Sequence, residues 1–206
     1  MTGFRKITYL KILLGIYSLL FIWSLILPFG YLLWALEVAP AIIGILYFVI
    51  SYRKIEFSNA TYTWFFIAAC LMTIGAHYSY SQVPLFNWIK EFFNWNRNNY
   101  DKIGHLVQGL VTVLISREIL ILKVRIRNVS YINILSFAVA MAISGGYEII
   151  EWATVFFDSH AATDFLGAQG YIWDTQTDML LATIGALLVL IFGRRNLKRV
   201  LNLNTN

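Results

Sequence analysis

Apolar residues run almost unbroken from Ile7 to Leu27, Tyr31 to Ile50, Thr61 to Tyr80, Ile103 to Leu122 and Tyr131 to Trp152, with a shorter run from about Asp178 to Phe192. A bilayer-spanning helix needs about 20 apolar residues. The last run reaches that length if its helix begins earlier, near Trp173, or if the bilayer thins locally. None of the runs alternates as a half-buried strand would, and an open sheet cannot cross lipid. The pattern predicts an all-α, polytopic transmembrane helix bundle of six spans, forming one integral membrane domain over residues 1–206.

One segment between the spans has its own period. In Pro84 to Trp95, apolar Leu85, Trp88, Ile89, Phe92 and Phe93 fall on one helical face, with Lys90, Glu91 and Asn94 elsewhere. That is an amphipathic interfacial helix, placed either as a lid on the bundle or as a gate for lipid entry.

Composition agrees with lipid as the main solvent. Charged residues are 13% of the chain, about half the share of an average soluble domain, and mean hydropathy is +0.65. The net charge of +5 does not point to nucleic acid, because the basic residues sit in short blocks beside apolar runs. Arg5, Lys6 and Lys11 precede span one, and Arg53 and Lys54 follow span two. Lys123, Arg125 and Arg127 follow span four, and Arg194, Arg195, Lys198 and Arg199 follow span six. With six spans these blocks, 12 of the 16 Lys and Arg residues, share one side. By the positive-inside rule that side is the cytoplasm, and both termini are expected there. The first run continues past any small-x-small cleavage site and reads as a retained span. The single cysteine, Cys70, lies inside a run and allows no intrachain disulfide.

The acids gather at the opposite end. Glu91, Asp101, Glu148, Glu151, Asp158, Asp164, Asp174 and Asp178 fall at or beyond the outer ends of spans, as do His77, His105 and His160. Glu37 lies inside span two toward its outer half. Ionisable groups in a membrane are costly, so each is a functional candidate. Asp101 and His105 are i and i+4, and Gln108 and Thr112 continue that face inward. Glu148 and Glu151 are i and i+3, with Ser144 one turn below; Asp174 and Asp178 are i and i+4. Helical spacing thus lets them converge. So many carboxylates cannot all stay ionised and unpaired in a low dielectric. Three resolutions are open: a divalent metal, protonation with an acid–base role, or pairing with Lys102, Arg97 and protonated His105. One His with several oxygens suits Mg, Mn, Ca or Zn, and His77 is a candidate second nitrogen. A segment with Gly167 and Gly170 between spans five and six would deliver Gln169 and Asp174 toward the acids. Arg117-Glu118 lies 12 to 13 residues beyond His105, roughly 18 to 20 Å deeper at 1.5 Å per residue. This pair either snorkels to the inner interface or pairs with another span.

These residues also carry a resemblance. Gly75-Ala76-His77-Tyr78-Ser79-Tyr80, Asn99-Tyr100-Asp101-Lys102-Ile103-Gly104-His105, Gln108-Gly109, Arg117-Glu118, Tyr147-Glu148-Ile149-Ile150-Glu151-Trp152, Phe165-Leu166-Gly167-Ala168-Gln169-Gly170 and Trp173-Asp174-Thr175-Gln176-Thr177-Asp178-Met179 resemble the YjdF-like family of bacterial inner-membrane proteins. Span four is also similar, more weakly, to VanZ-like membrane proteins. The resemblance implies a fold and a location, and no reaction. The chain departs from the pattern at Tyr171, where the family has Asp.

The leading expectation is a bacterial inner-membrane protein with a periplasm-facing site for acid–base or metal-assisted chemistry on a lipid-linked or envelope substrate. Glu148, Glu151 and His105 are the catalytic candidates. Asp101, His105, Asp174 and Asp178 are candidate metal ligands, and His77, Gln108, Gln169 and Trp173 candidate substrate contacts. A small-molecule or proton-coupled transporter and a structural, partner-binding membrane protein are the alternatives.

Overall fold

The computed structural model describes residues 3–154 and 169–203. Asp158, His160, Asp164 and the first part of the Gly167–Gly170 segment lie outside the described residues. Among those described there are α-helices and one 3-10 turn, and no strand. The helices are α1 (Gly3–Ser24), α2 (Tyr31–Ser51), α3 (Asn59–Tyr78), α4 (Pro84–Phe92), α5 (Tyr100–Leu122), α6 (Val129–Thr154), α7 (Asp174–Phe192) and α8 (Arg194–Leu203), with the turn at Tyr80–Gln82 before α4. Six are long and apolar enough to cross a membrane: α1, α2, α3, α5, α6 and α7.

The limits of these helices have local causes. α1 stops at Ser24 although the apolar run continues, because Leu27 precedes Pro28 and takes φ 51°; a residue before proline is pushed out of the helical region. Ser58 caps α3 by accepting from the Thr61 amide, and Pro84 opens α4 where no amide hydrogen is needed. α7 begins at Asp174, not Asp178, which supplies the length the last apolar run lacked. α8 was read from sequence only as a block of charge. It is a helix whose Leu197 and Val200 are buried against Ile121 of α5 and Ile132 of α6.

α5 is the central rod. It packs on α3, α6, α7 and α8, while α1 and α2 reach the bundle mainly through α3. Burial follows: 61% of the α5 span is buried, against 11% for α1, whose apolar surface is left for lipid.

α5 and α7 cross with almost no separation. A β-carbon at Gly109 would overlap the Ala182 backbone, and one at Gly185 would overlap the Leu106 carbonyl. In lipid, helices gain little from apolar burial against each other, so small residues that admit backbone contact hold them together.

At the far end α5 carries Arg117 and Glu118, both buried. Glu118 accepts from the Ser58 amide, the Ser58 hydroxyl and the Thr61 hydroxyl, each at 2.6 Å, at the N-terminus of α3. Arg117 donates to the Val189 carbonyl of α7 at 3.0 Å and to Asn133 of α6 at 2.7 Å. The pair therefore engages neighbouring spans and does not snorkel. Each charge also sits at the helix end its sign favours.

Replacing Gly109 with Leu should lower the thermal midpoint of the detergent-purified protein steeply, by the equivalent of at least about 3 kcal/mol, because backbone cannot yield as a side chain does. Gly15→Leu, with nothing within 4 Å of its would-be β-carbon, should leave the midpoint within about 0.5 kcal/mol of wild type.

Candidate functional site at the acidic end of the bundle

α5 and α7 are parallel, so their N-termini lie side by side. Each carries an aspartate in its first turn, Asp101 and Asp174, where the helix dipole favours negative charge. Arg97, just before α5, and Lys102 within it bridge the two helices. Arg97 pairs with Asp101 at 2.7 Å and with Asp174; Lys102 pairs with Asp174 and with Asp178 at 2.7 Å. All five side chains are nearly buried. Burial alone would lower the Arg97 guanidinium, but the carboxylates of Asp101 and Asp174 outweigh it and hold it above its usual value. Of the three resolutions open to the sequence, pairing with Arg97 and Lys102 is the one this part of the cluster adopts.

The next turn inward differs. His105 on α5, Glu148 on α6 and Asp178 on α7 each present one ligand atom within 4.8 Å of the others. His105 Nδ1 stands 3.7 Å from Glu148 Oε1, too far for a hydrogen bond. Both atoms are buried with no hydrogen-bond partner, as are Gln108 Oε1 and Ser144 Oγ nearby. Leaving a buried polar atom unpaired costs about 1–3 kcal/mol.

A cavity of about 300 Å³ opens beside this trio. Its polar lining is Asp101, His105, Gln108 and Thr112 from α5 and Asp178 from α7, with Glu37 from α2, Tyr80 from the 3-10 turn, and Tyr147 and Glu151 from α6; the Tyr147 ring lies 6.0 Å from that of His105. Its deeper surface is apolar, with Leu71, Met72, Val107, Val111 and Ile115. From Asp101 to Ile115 the lining follows α5 for about 21 Å.

A family model described as "Predicted membrane protein (DUF2238)" matches residues 9–199, nearly the whole chain. The chain belongs to the DUF2238 family. It is 39% identical over 178 residues to "Inner membrane protein YjdF" of Escherichia coli (strain K12), covering 86% of this chain and 85% of that protein. No solved structure matches. The chain is thus an integral membrane protein, homologous to an inner-membrane protein, and the YjdF-like resemblance of its motifs holds.

Within this DUF2238 bundle the sequence candidates separate. Asp101, His105, Glu148, Asp174 and Asp178 come together, and Gln108 and Glu151 line the cavity. His77 does not line it. Its Nδ1 is 3.1 Å from the Ser24 carbonyl, and its ring lies 4.2 Å from that of Trp23, against α1. Gln169 is held by Asn98 and not by the acids: its Nε2 donates to the Asn98 carbonyl at 2.8 Å and its Oε1 accepts from the Asn98 amide at 2.9 Å. Trp173 is exposed at the start of α7, its carbonyl accepting from the Thr177 amide and hydroxyl.

Asn98 was not singled out from sequence, and the contacts of Tyr171 and Glu37 were not legible there. Asn98, fully buried, also donates to Val83 and Asn87 and accepts from the Tyr100 amide, tying α4 to the start of α5. Tyr171 lays its ring 5.6 Å from Arg97 and 5.9 Å from Lys102, a cation–π contact with the same two cations that a carboxylate there would meet. Glu37 was seen as an acid inside a span; Pro40, one turn later, which frees the Leu36 carbonyl, was the available signal that this part of α2 is unusual.

Lys102→Met should destabilise the protein strongly, by about 3–5 kcal/mol, because it strands the buried Asp178 and leaves Asp174 with Arg97 alone. Adding Asp178→Asn should restore part of that loss. A double-mutant cycle on thermal midpoints reads the coupling, and additive effects would contradict the ion-pair geometry.

Proposed function

We propose that the acidic end faces the periplasm and carries an acid–base or metal-assisted catalytic site for a lipid-linked or envelope substrate. One observation supports this most. His105 Nδ1 and Glu148 Oε1 are buried 3.7 Å apart without a hydrogen-bond partner and meet Asp178 beside a cavity, lined by His105 and Asp178, that is polar at one end and apolar along its depth. A fold gains nothing from leaving such atoms unpaired, so they are available to a ligand.

The roles follow from the contacts. In the metal-free, acid–base form Glu148, or Glu151 one turn along, is the candidate base; where Glu148 holds an ion, that role falls to Glu151. His105, Glu148 and Asp178 form a donor set of one imidazole and two carboxylates, which fits Zn, Mn or Mg. A divalent ion held there would supply a Lewis acid and an activated water. Asp101 and Asp174, already paired with Arg97 and Lys102, act as orienting groups in this reading, whereas Asp178, whose Oδ1 accepts from Lys102, would offer an ion its other oxygen. A transport path would have to continue past Ile115 to the other end of α5. There Ser116 bonds its own helix at the Thr112 carbonyl, and Glu118 is engaged by Ser58 and Thr61. That favours catalysis over conduction.

Chelator-treated protein should gain thermal stability when Zn, Mn, Mg or Ca is restored, by about 2.7 kcal/mol at a hundredfold excess over the dissociation constant. The gain should vanish in the Glu148→Gln/Asp178→Asn double variant. If no ion shifts the midpoint of wild-type protein, the metal-assisted form of the proposal fails.

Orientation has a separate test in intact cells, on a Cys70→Ser background. A cysteine at Glu91 should react with a membrane-impermeant maleimide and one at Lys198 should not; the reverse result would turn the site toward the cytoplasm.

A further inference from the structure

Polar residues outside the His105–Glu148–Asp178 trio also line the cavity. Glu37 comes from α2, Tyr80 from the 3-10 turn, and Tyr147 and Glu151 from α6. Glu37 is 2% exposed, and its Oε2 is buried with no hydrogen-bond partner. No Lys or Arg is among the described residues lining the cavity. A buried carboxylate facing a cavity without a cation calls for a hydrogen-bond donor or a positive charge from outside the chain.

The charge of the whole end points the same way. Glu37, Asp101, Glu148, Glu151, Asp174 and Asp178 make six carboxylates, against the cations Arg97 and Lys102. Both cations are already engaged by aspartates, so an anionic headgroup would meet mostly negative charge. A cationic one would meet carboxylates and the rings of Tyr80 and Tyr147, the lining that recognises ammonium groups elsewhere.

The route of entry is set by helix packing. α2 packs on α3 and makes no extensive contact with α6. At the cavity these two helices present Pro40 and Ile143, and Ile143 is 48% exposed on the lipid-facing surface. The cavity therefore has a side toward the bilayer between α2 and α6.

We propose that an amphiphile bearing a protonated primary amine enters between α2 and α6, places its ammonium against Glu37, and lays its chain along Val107, Val111 and Ile115. This deepens the proposed function by naming the substrate class, and rests on it only for taking this cavity as the substrate's.

Native mass spectrometry of delipidated protein tests it with three probes: phosphatidylethanolamine, phosphatidylglycerol and dodecylamine. Wild type should retain at least one amine probe roughly tenfold more than phosphatidylglycerol. Phosphatidylethanolamine adducts would assign a membrane lipid and dodecylamine adducts alone a free long-chain amine, both in favour. Glu37→Gln should abolish the preference, and Ile143→Trp, which fills the gap, should abolish amine binding altogether. Equal retention of phosphatidylglycerol, or an intact preference in Glu37→Gln, overturns the proposal. If Glu37→Gln does not fold, undiminished amine binding by Ile143→Trp overturns it instead. Glu37→Gln, which is not among the proposed metal ligands, should lose the amine preference while keeping any metal-dependent stabilisation, so the two proposals fail separately.

Discussion

Gly109 on α5 and Gly185 on α7 leave no room for a side chain between two parallel helices, and the site depends on that contact. Parallel packing puts two helix N-termini, each with a partial positive charge, at the same end of the bundle. Close packing keeps them within reach of one lysine, so that Lys102 of α5 bonds Asp174 and Asp178 of α7. The three aspartates of this network outnumber its two cations, and the excess negative charge sits beside two helix termini that favour it. A wider crossing would move Lys102 away from its partners and Asp178 away from His105. The acidic end is thus a consequence of two small residues, Gly109 and Gly185, about two turns below Lys102 and Asp178.

The same helix solves an opposite problem at its other end. Arg117 and Glu118 are adjacent and buried, yet they do not pair with each other: Glu118 closes the start of α3 and Arg117 bonds a carbonyl near the end of α7. Adjacent residues on a helix point about 100° apart, which suits serving two neighbours. α5 therefore carries a charge-assisted hydrogen bond to each flanking group of helices, toward α3 on one side and α6 and α7 on the other. This anchoring lets the middle of α5 line a cavity without the bundle closing on it.

Much of this was legible in the amino-acid sequence, because helical period and membrane thickness leave few options. The six spans, the amphipathic α4, and the shared faces of Asp101 with His105 and of Asp174 with Asp178 follow from spacing alone. What spacing does not encode is which helices touch. His77 lies on the predicted side but faces α1, where Ser24 and Trp23 receive it. Gln169 lies next to the acids in the chain, but its amide matches the Asn98 backbone and is held there. Glu37 belongs to a helix that meets the site only across a cavity, so no local pattern links it to Asp101 or Glu148. Gly109 was read as part of a motif and not as a contact, since its role exists only relative to Ala182.

The polar end divides by depth into a layer joined by ion pairs and a layer without them. Arg97, Asp101, Lys102 and Asp174 sit at the helix starts and pair with one another, with the Tyr171 ring against both cations. One turn further in, His105, Gln108, Ser144 and Glu148 carry buried atoms without partners, and across the cavity Glu37 carries another. If the purpose of these residues were only to fix helix register, the outer network would suffice and the inner atoms would be a cost of about 1–3 kcal/mol each. The atoms without a hydrogen-bond partner at this depth come from α2, α5 and α6: Glu37, His105 and Gln108 line one cavity, and Glu148 meets His105 and Asp178 beside it. The ion-pair layer above them is the frame that sets their geometry.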